Sequence, residues 1–108
     1  MPIHNKLVRD CIPRVIEKTG KKFSTRIMSQ DEYVKELKKK AFEELEEYMN
    51  TKNDTDAVEE LADLLEIIHA FVDVHNTTFE KIESVRKEKA KERGGFKERI
   101  FLIEVEDE

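Results

Sequence analysis

The chain has 108 residues, enough for one domain around a single core and too few for two. Its 20 lysines and arginines against 25 aspartates and glutamates give a net charge of −5, which argues against a general nucleic-acid binder. The single cysteine, Cys11, excludes an internal disulfide and fits a reducing compartment. No run approaches about 18 apolar residues, and no charged N-terminal region precedes an apolar stretch, so the expectation is a cytoplasmic protein with no membrane contact. At 38% hydrophobic and 42% charged residues, the chain is polar for its size, and pairing with a second copy is the expected way to complete its core.

In chain order, residues 1–9 lack a helical period and read as an extended arm. A short helix follows, capped by Asp10, with Pro13 in its first turn and Gly20 at its end. Residues 22–28 alternate weakly and hold β-branched side chains, so they read as a short strand whose natural partner is 99–105. Ser29-Gln30-Asp31-Glu32 is a capping box that opens a long helix to about Asn50. Val34, Leu37, Ala41, Leu45 and Tyr48 form its apolar stripe. Glu44 stands roughly 65° from the centre of that stripe, Glu47 lies further round on the same side, and Glu43 points away. Of the overlapping pairs Glu43/Glu46 and Glu44/Glu47, the second is therefore the one beside the core.

Residues 51–55 form a polar turn, and Asp56 with Glu59 reads as the cap of the next helix, which runs to about His75. Val58, Leu61, Ala62, Leu64, Leu65, Ile67, Ile68, Phe71 and Val72 cover well over half its circumference, more than one neighbouring helix can bury. Glu60 falls inside that arc and Asp63 at its edge. A further capping box, Thr77-Thr78-Phe79-Glu80, starts a helix to about Arg93. Its inward stripe begins with Phe79, Ile82 and Val85 and continues as Arg86, Lys89 and Arg93. Gly94-Gly95 ends it, Phe96 is placed to fold back, and Glu106-Asp107-Glu108 is an acidic tail expected to fray.

Glu-x-x-Glu alone is ordinary solvated helix surface. Glu60-x-x-Asp63 changes the balance, because a carboxylate inside an apolar arc must be paired, protonated or bound to a cation. Two antiparallel helices aiming four carboxylates at one point suit Mg²⁺, which takes oxygen ligands and keeps waters and substrate phosphates as the rest of its shell. Arg86, Lys89 and Arg93 have two readings, a positive wall for an anion or ion-pair partners for the surplus acid. His69 reads as a hydrogen-bonded core histidine. His4 and His75 share no ligand spacing with a cysteine, which speaks against zinc.

Glu44-x-x-Glu47, twelve residues, then Glu60-x-x-Asp63 resembles the signature of the all-α nucleoside triphosphate pyrophosphohydrolases, the MazG-like superfamily, which includes dimeric dUTPases and phosphoribosyl-ATP pyrophosphohydrolase. A narrower branch, described as house-cleaning pyrophosphatases or phosphoribosyl-ATP pyrophosphohydrolase-like proteins, is similar over nearly the whole chain. Asn5-Lys6-Leu7-Val8-Arg9-Asp10 followed by Ile12-Pro13 matches its opening, and Glu92-Arg93-Gly94-Gly95-Phe96 its close. The chain departs from that branch at Cys11, where a basic residue is common.

The helices lead to the expectation of one domain over residues 1–108 folded as an antiparallel bundle of about four helices, and the resemblance implies a homodimer or dimer of dimers with sites near the subunit boundary. It implies Mg²⁺, with Mn²⁺ as a substitute, on Glu44, Glu47, Glu60 and Asp63. The implied reaction cleaves a nucleoside triphosphate between its α and β phosphates, giving the monophosphate and pyrophosphate. Glu47 is the candidate to orient the attacking water. The resemblance reaches only the four acids; it is from their place on the helix that Arg86, Lys89 and Arg93 are expected to hold the phosphates, joined by Lys6 and Arg9 if the N-terminal arm reaches the cleft. The alternatives are activity on a relative of phosphoribosyl-ATP, or a non-enzymatic helical interaction module.

Overall fold

Each helix starts where a side chain or a proline can deal with its first free N–H groups. In the computed structural model, which describes residues 2–107, the elements are α1 (Ile12–Lys18), α2 (Gln30–Met49), α3 (Asp54–Val74) and α4 (Phe79–Arg93). Pro13 lies in the first turn of α1, but Cys11 occupies the cap position and gives no side-chain cap, so Asp10 does not serve there. Gly20 closes this helix at φ +78°, a conformation that costs glycine little. Ser29 accepts from the Glu32 N–H at the start of α2, as expected. The Glu32 carboxylate does not complete the box. Arg26 takes it with both terminal nitrogens, at 2.7 and 2.5 Å.

At the start of α3 the cap is Asn53, accepting from the Asp56 N–H at 2.8 Å, so the helix begins earlier than a cap at Asp56 would allow. Thr78, not Thr77, caps α4 through the Lys81 N–H at 3.1 Å. Thr77 is already committed to the end of α3. Asn76 takes φ +52°, its N–H donates to the Asp73 carbonyl, and the Thr77 N–H donates to that of Val72. These are the paired bonds of a Schellman closure, with asparagine in the left-handed position.

The connection between α2 and α3 is Asn50–Asn53, short enough to make the two helices antiparallel neighbours. They form the one extensive helix–helix packing among the described residues. Leu37 from α2 and Ile67 and Val72 from α3 are the buried apolar core. The chain is thus all-α, as expected, with its core at the open end of a helical hairpin.

The ribbon of 22–28 with 99–105 does not form: both segments are irregular, and Ile27, Ile100 and Phe101 are largely exposed. Two strands with no layer to pack on are at best marginal in water. Phe96 stays 97% exposed and does not fold back on α4. Further along the α4 stripe, Ile82 and Val85 remain partly exposed. α4 is joined to α3 by Phe79 stacking on His69, ring centroids 4.4 Å apart. His69 is therefore an exposed stacking partner rather than a core histidine. The acidic tail is irregular and exposed through Asp107, and Glu108 lies outside the described residues.

The radius of gyration is 18.9 Å, against about 13 Å for a compact chain of this length. The accessible surface is 10462 Å², where a monomer of 12.8 kDa presents about 6,300 Å². Much of the excess is apolar. Phe42, Leu45 and Met49 on α2, and Val58, Leu61, Leu65 and Ile68 on α3, are spaced three and four residues apart and face solvent.

Candidate metal centre

The hairpin decides which acids meet. The Asn50 side-chain amide donates to the Glu46 carbonyl, the Thr51 hydroxyl to that of Tyr48, and Asn53 caps α3. A turn tied down this tightly sets the register of α3 against α2. With that register, Glu44 and Glu47 come opposite Glu60, between the apolar core and the turn. One carboxylate oxygen from each of the three lies within 4.8 Å of the others, the one such group of potential metal ligands among the described residues. Glu43 and Glu46 point to solvent, as the helical phase requires.

The environment of these carboxylates is unusual for a helix surface. The Glu44 side chain is only 13% exposed, and its nearest cation, Lys40, stands 4.0 Å away from Oε1. The other oxygens, Glu44 Oε2 and Glu60 Oε2, are buried with no hydrogen-bond partner among the described residues. An unpartnered buried carboxylate oxygen is costly, and two facing each other compound the cost through like-charge repulsion. Burial, followed by the neighbouring Glu47 charge and then Glu60 and Asp63, pushes the Glu44 carboxyl from 4.5 up to about 7. Burial also raises Glu60, with Glu47 and Asp63 adding to it, while a proton held on Glu44 works in the opposite sense. At neutral pH the cluster has two ways to relieve this. It can retain a proton, or it can take up a cation.

Asp63, one turn along α3 from Glu60, is adjacent but turned aside. Arg9 of the N-terminal arm donates to its Oδ1 at 2.7 Å. The arm does reach the site, as the sequence allowed, although here Arg9 meets a carboxylate. Lys6 is exposed on the same arm. Arg86, Lys89 and Arg93 are exposed on α4, which does not pack along α2 or α3, so one chain does not carry that row onto the acid cluster. The Arg86 guanidinium is occupied by Glu83 one turn earlier, at 2.5 to 3.1 Å. Cys11 is exposed and accepts from Arg14 at 3.0 Å.

An open cleft of about 510 Å³ adjoins the cluster at the turn, lined by Glu47, Asn50, Thr51, Lys52, Asn53, Asp56, Glu59 and Glu60. Four of its side chains are acidic and only Lys52 is basic, so a polyphosphate would enter this cleft only in company with a cation. Sequence reasoning passed over Lys40, Lys52 and the Arg9–Asp63 pair. Lys40 carries a legible signal, four residues before Glu44. The 54-residue separation of Arg9 from Asp63 carries none.

The donor set fits a hard divalent cation. It offers carboxylate oxygens alone, gathered closely, and the Glu44 and Glu60 carboxylates each carry a buried, unsatisfied oxygen. Among the described residues, no helix is long and apolar enough to cross a membrane. Comparison of the chain with protein-family models, curated proteins and solved structures yields no match.

Proposed function

We propose that this chain is a Mg²⁺-dependent nucleoside triphosphate pyrophosphohydrolase of the MazG-like superfamily, cleaving between the α and β phosphates. The observation that carries the reading is the convergence of Glu44, Glu47 and Glu60, with a buried, unsatisfied oxygen on each of Glu44 and Glu60. Those three residues, with Asp63 beside them, would hold the ion. When bound, Mg²⁺ supplies neutralisation of phosphate charge and acidity toward the attacking water. Glu44 and Glu60 act as the inner anchors, because their oxygens face away from solvent. Glu47 is exposed and lines the cleft, the position from which a carboxylate can accept the proton of a water attacking phosphorus. A reducing, cytoplasmic setting suits the lone exposed Cys11.

The working form is a homodimer or a dimer of dimers. Three buried apolar side chains cannot stabilise a chain of this length against its conformational entropy. The exposed stripes of α2 and α3 repeat at the three- and four-residue steps by which helices pack face to face. A second copy laid against them would supply the missing core. The same assembly gives Arg86, Lys89 and Arg93 a route to the acidic site of a neighbouring subunit, where they would stabilise charge on departing pyrophosphate.

The test is pyrophosphate release with Mg²⁺ from a panel of standard and modified nucleoside triphosphates and phosphoribosyl-ATP. Glu44→Ala and Glu60→Ala lose at least about 100-fold in rate, as expected when a metal bearing the charge is no longer held. Glu43→Ala is nearly silent. Equal activity in wild type and both inner variants, or none with any substrate, sinks the reading and leaves a helical interaction module.

A further inference from the structure

Two of the three arginine–carboxylate pairs among the described residues differ in what they leave open. Arg26 grips Glu32 with two nitrogens on two oxygens, at 2.7 and 2.5 Å, and closes that carboxylate to anything else. Arg9 uses one nitrogen on one oxygen of Asp63, at 2.7 Å, and Oδ2 keeps its lone pairs free of any partner among the described residues. The first pair braces the entry to α2. The second joins the N-terminal arm to the rim of the acid cluster.

The placement is not that of a loose surface contact. Leu7 and Val8, immediately before Arg9, are half-buried while residues 2–6 are exposed, so the arm docks at the arginine end. The Ile12 N–H donates to the Arg9 carbonyl at 3.0 Å, which ties the arginine backbone to the first turn of α1. Asp63 lies close enough to Glu44 and Glu60 for its charge to raise both, yet its oxygens stay outside the trio that converges within 4.8 Å. Arg9 therefore holds the fourth carboxylate at the edge of the site, half-liganded and partly neutralised.

We propose that Arg9 is a positioning residue for Asp63: it fixes the carboxylate through Oδ1 so that Oδ2 is presented to a divalent cation seated on Glu44, Glu47 and Glu60. Carboxylates that ligate metals are themselves commonly held by such an outer hydrogen bond, which sets their orientation. The role rests on the metal reading given above. It assigns the opening arm a function inside the site, and it moves Arg9 from the phosphates to the metal's outer shell.

A positioning role and a plain charge effect have opposite signs. Removing a cation beside four carboxylates deepens their negative potential, which by Coulomb's law alone tightens a cation. Removing an orienting bond weakens it, typically by about 10- to 100-fold. Calorimetric titration of Mn²⁺ into the wild type, Arg9→Ala, Asp63→Asn and the double variant separates the two without any turnover. The expected result is a 10- to 100-fold weaker Mn²⁺ affinity for Arg9→Ala. Adding Arg9→Ala to Asp63→Asn should then have no further effect, because the bond acts only through Asp63. Metal-free melting temperatures should change little, since the pair is half-exposed on both sides. Unchanged or tighter Mn²⁺ binding by Arg9→Ala, or losses that simply add in the double variant, overturns the role. No uptake of Mn²⁺ by the wild type overturns the metal reading itself, which is a different failure.

Discussion

The buried proton of the metal-free cluster makes a quantitative prediction. Glu44 is pushed from 4.5 to about 7, chiefly by burial, so the folded chain keeps a proton that the unfolded chain gives up. The native state then binds more protons than the unfolded state between those values, and stability falls as pH rises through that window. The stabilisation is fully present below pH 4.5 and is lost as pH passes about 7. Integrated to neutral pH, the shift corresponds to a loss on the order of 3 kcal/mol. The charge can be removed while the shape is kept with Glu44→Gln. In urea unfolding under chelator, at one fixed protein concentration, wild type should weaken from pH 4.5 to 7.5, and Glu44→Gln should weaken less by up to about 3 kcal/mol. On the metal reading proposed above, Mg²⁺ should reverse the sign, because it would require the deprotonated carboxylates, so that its stabilising increment should grow over the same range. Parallel pH profiles for wild type and Glu44→Gln would refute the argument from burial and like charge.

Two further outcomes test the frame around the site. Leu61→Asp, on the exposed stripe of α3, should shift the protein toward monomer in light scattering and lower its melting temperature, whereas a wild type that is monomeric at micromolar concentration contradicts the pairing of these faces. Ser29→Ala removes the acceptor for the Glu32 N–H and should cost about 1 kcal/mol in denaturant unfolding, with metal affinity unchanged.

The inner acids were legible because helical phase is a local property. A step of 100° per residue separates Glu44 from Glu43 without any knowledge of what α2 packs against. The same periodicity located α2, α3 and α4 closely. Caps were less legible where neighbouring polar residues compete. Asn53 displaces Asp56, whose own N–H it caps, and Thr78 displaces Thr77, because Thr77 closes the helix before it. The ribbon failed for a different reason. Alternation describes a strand's faces but does not provide a layer for them to cover.

What the sequence determined by itself is therefore everything that follows from spacing along a helix: four helical segments, an apolar arc too wide for one neighbour, and the inward phase of Glu44 and Glu60. Tertiary structure decided what those faces meet. It placed Glu44, Glu47 and Glu60 within one ligand's reach, left two of their oxygens buried without partners, and held Asp63 to an arginine 54 residues away. It also left the basic row of α4 apart from the acid cluster. Periodicity fixes direction around an axis, whereas distance between axes depends on turns, caps and packing partners that no local pattern encodes.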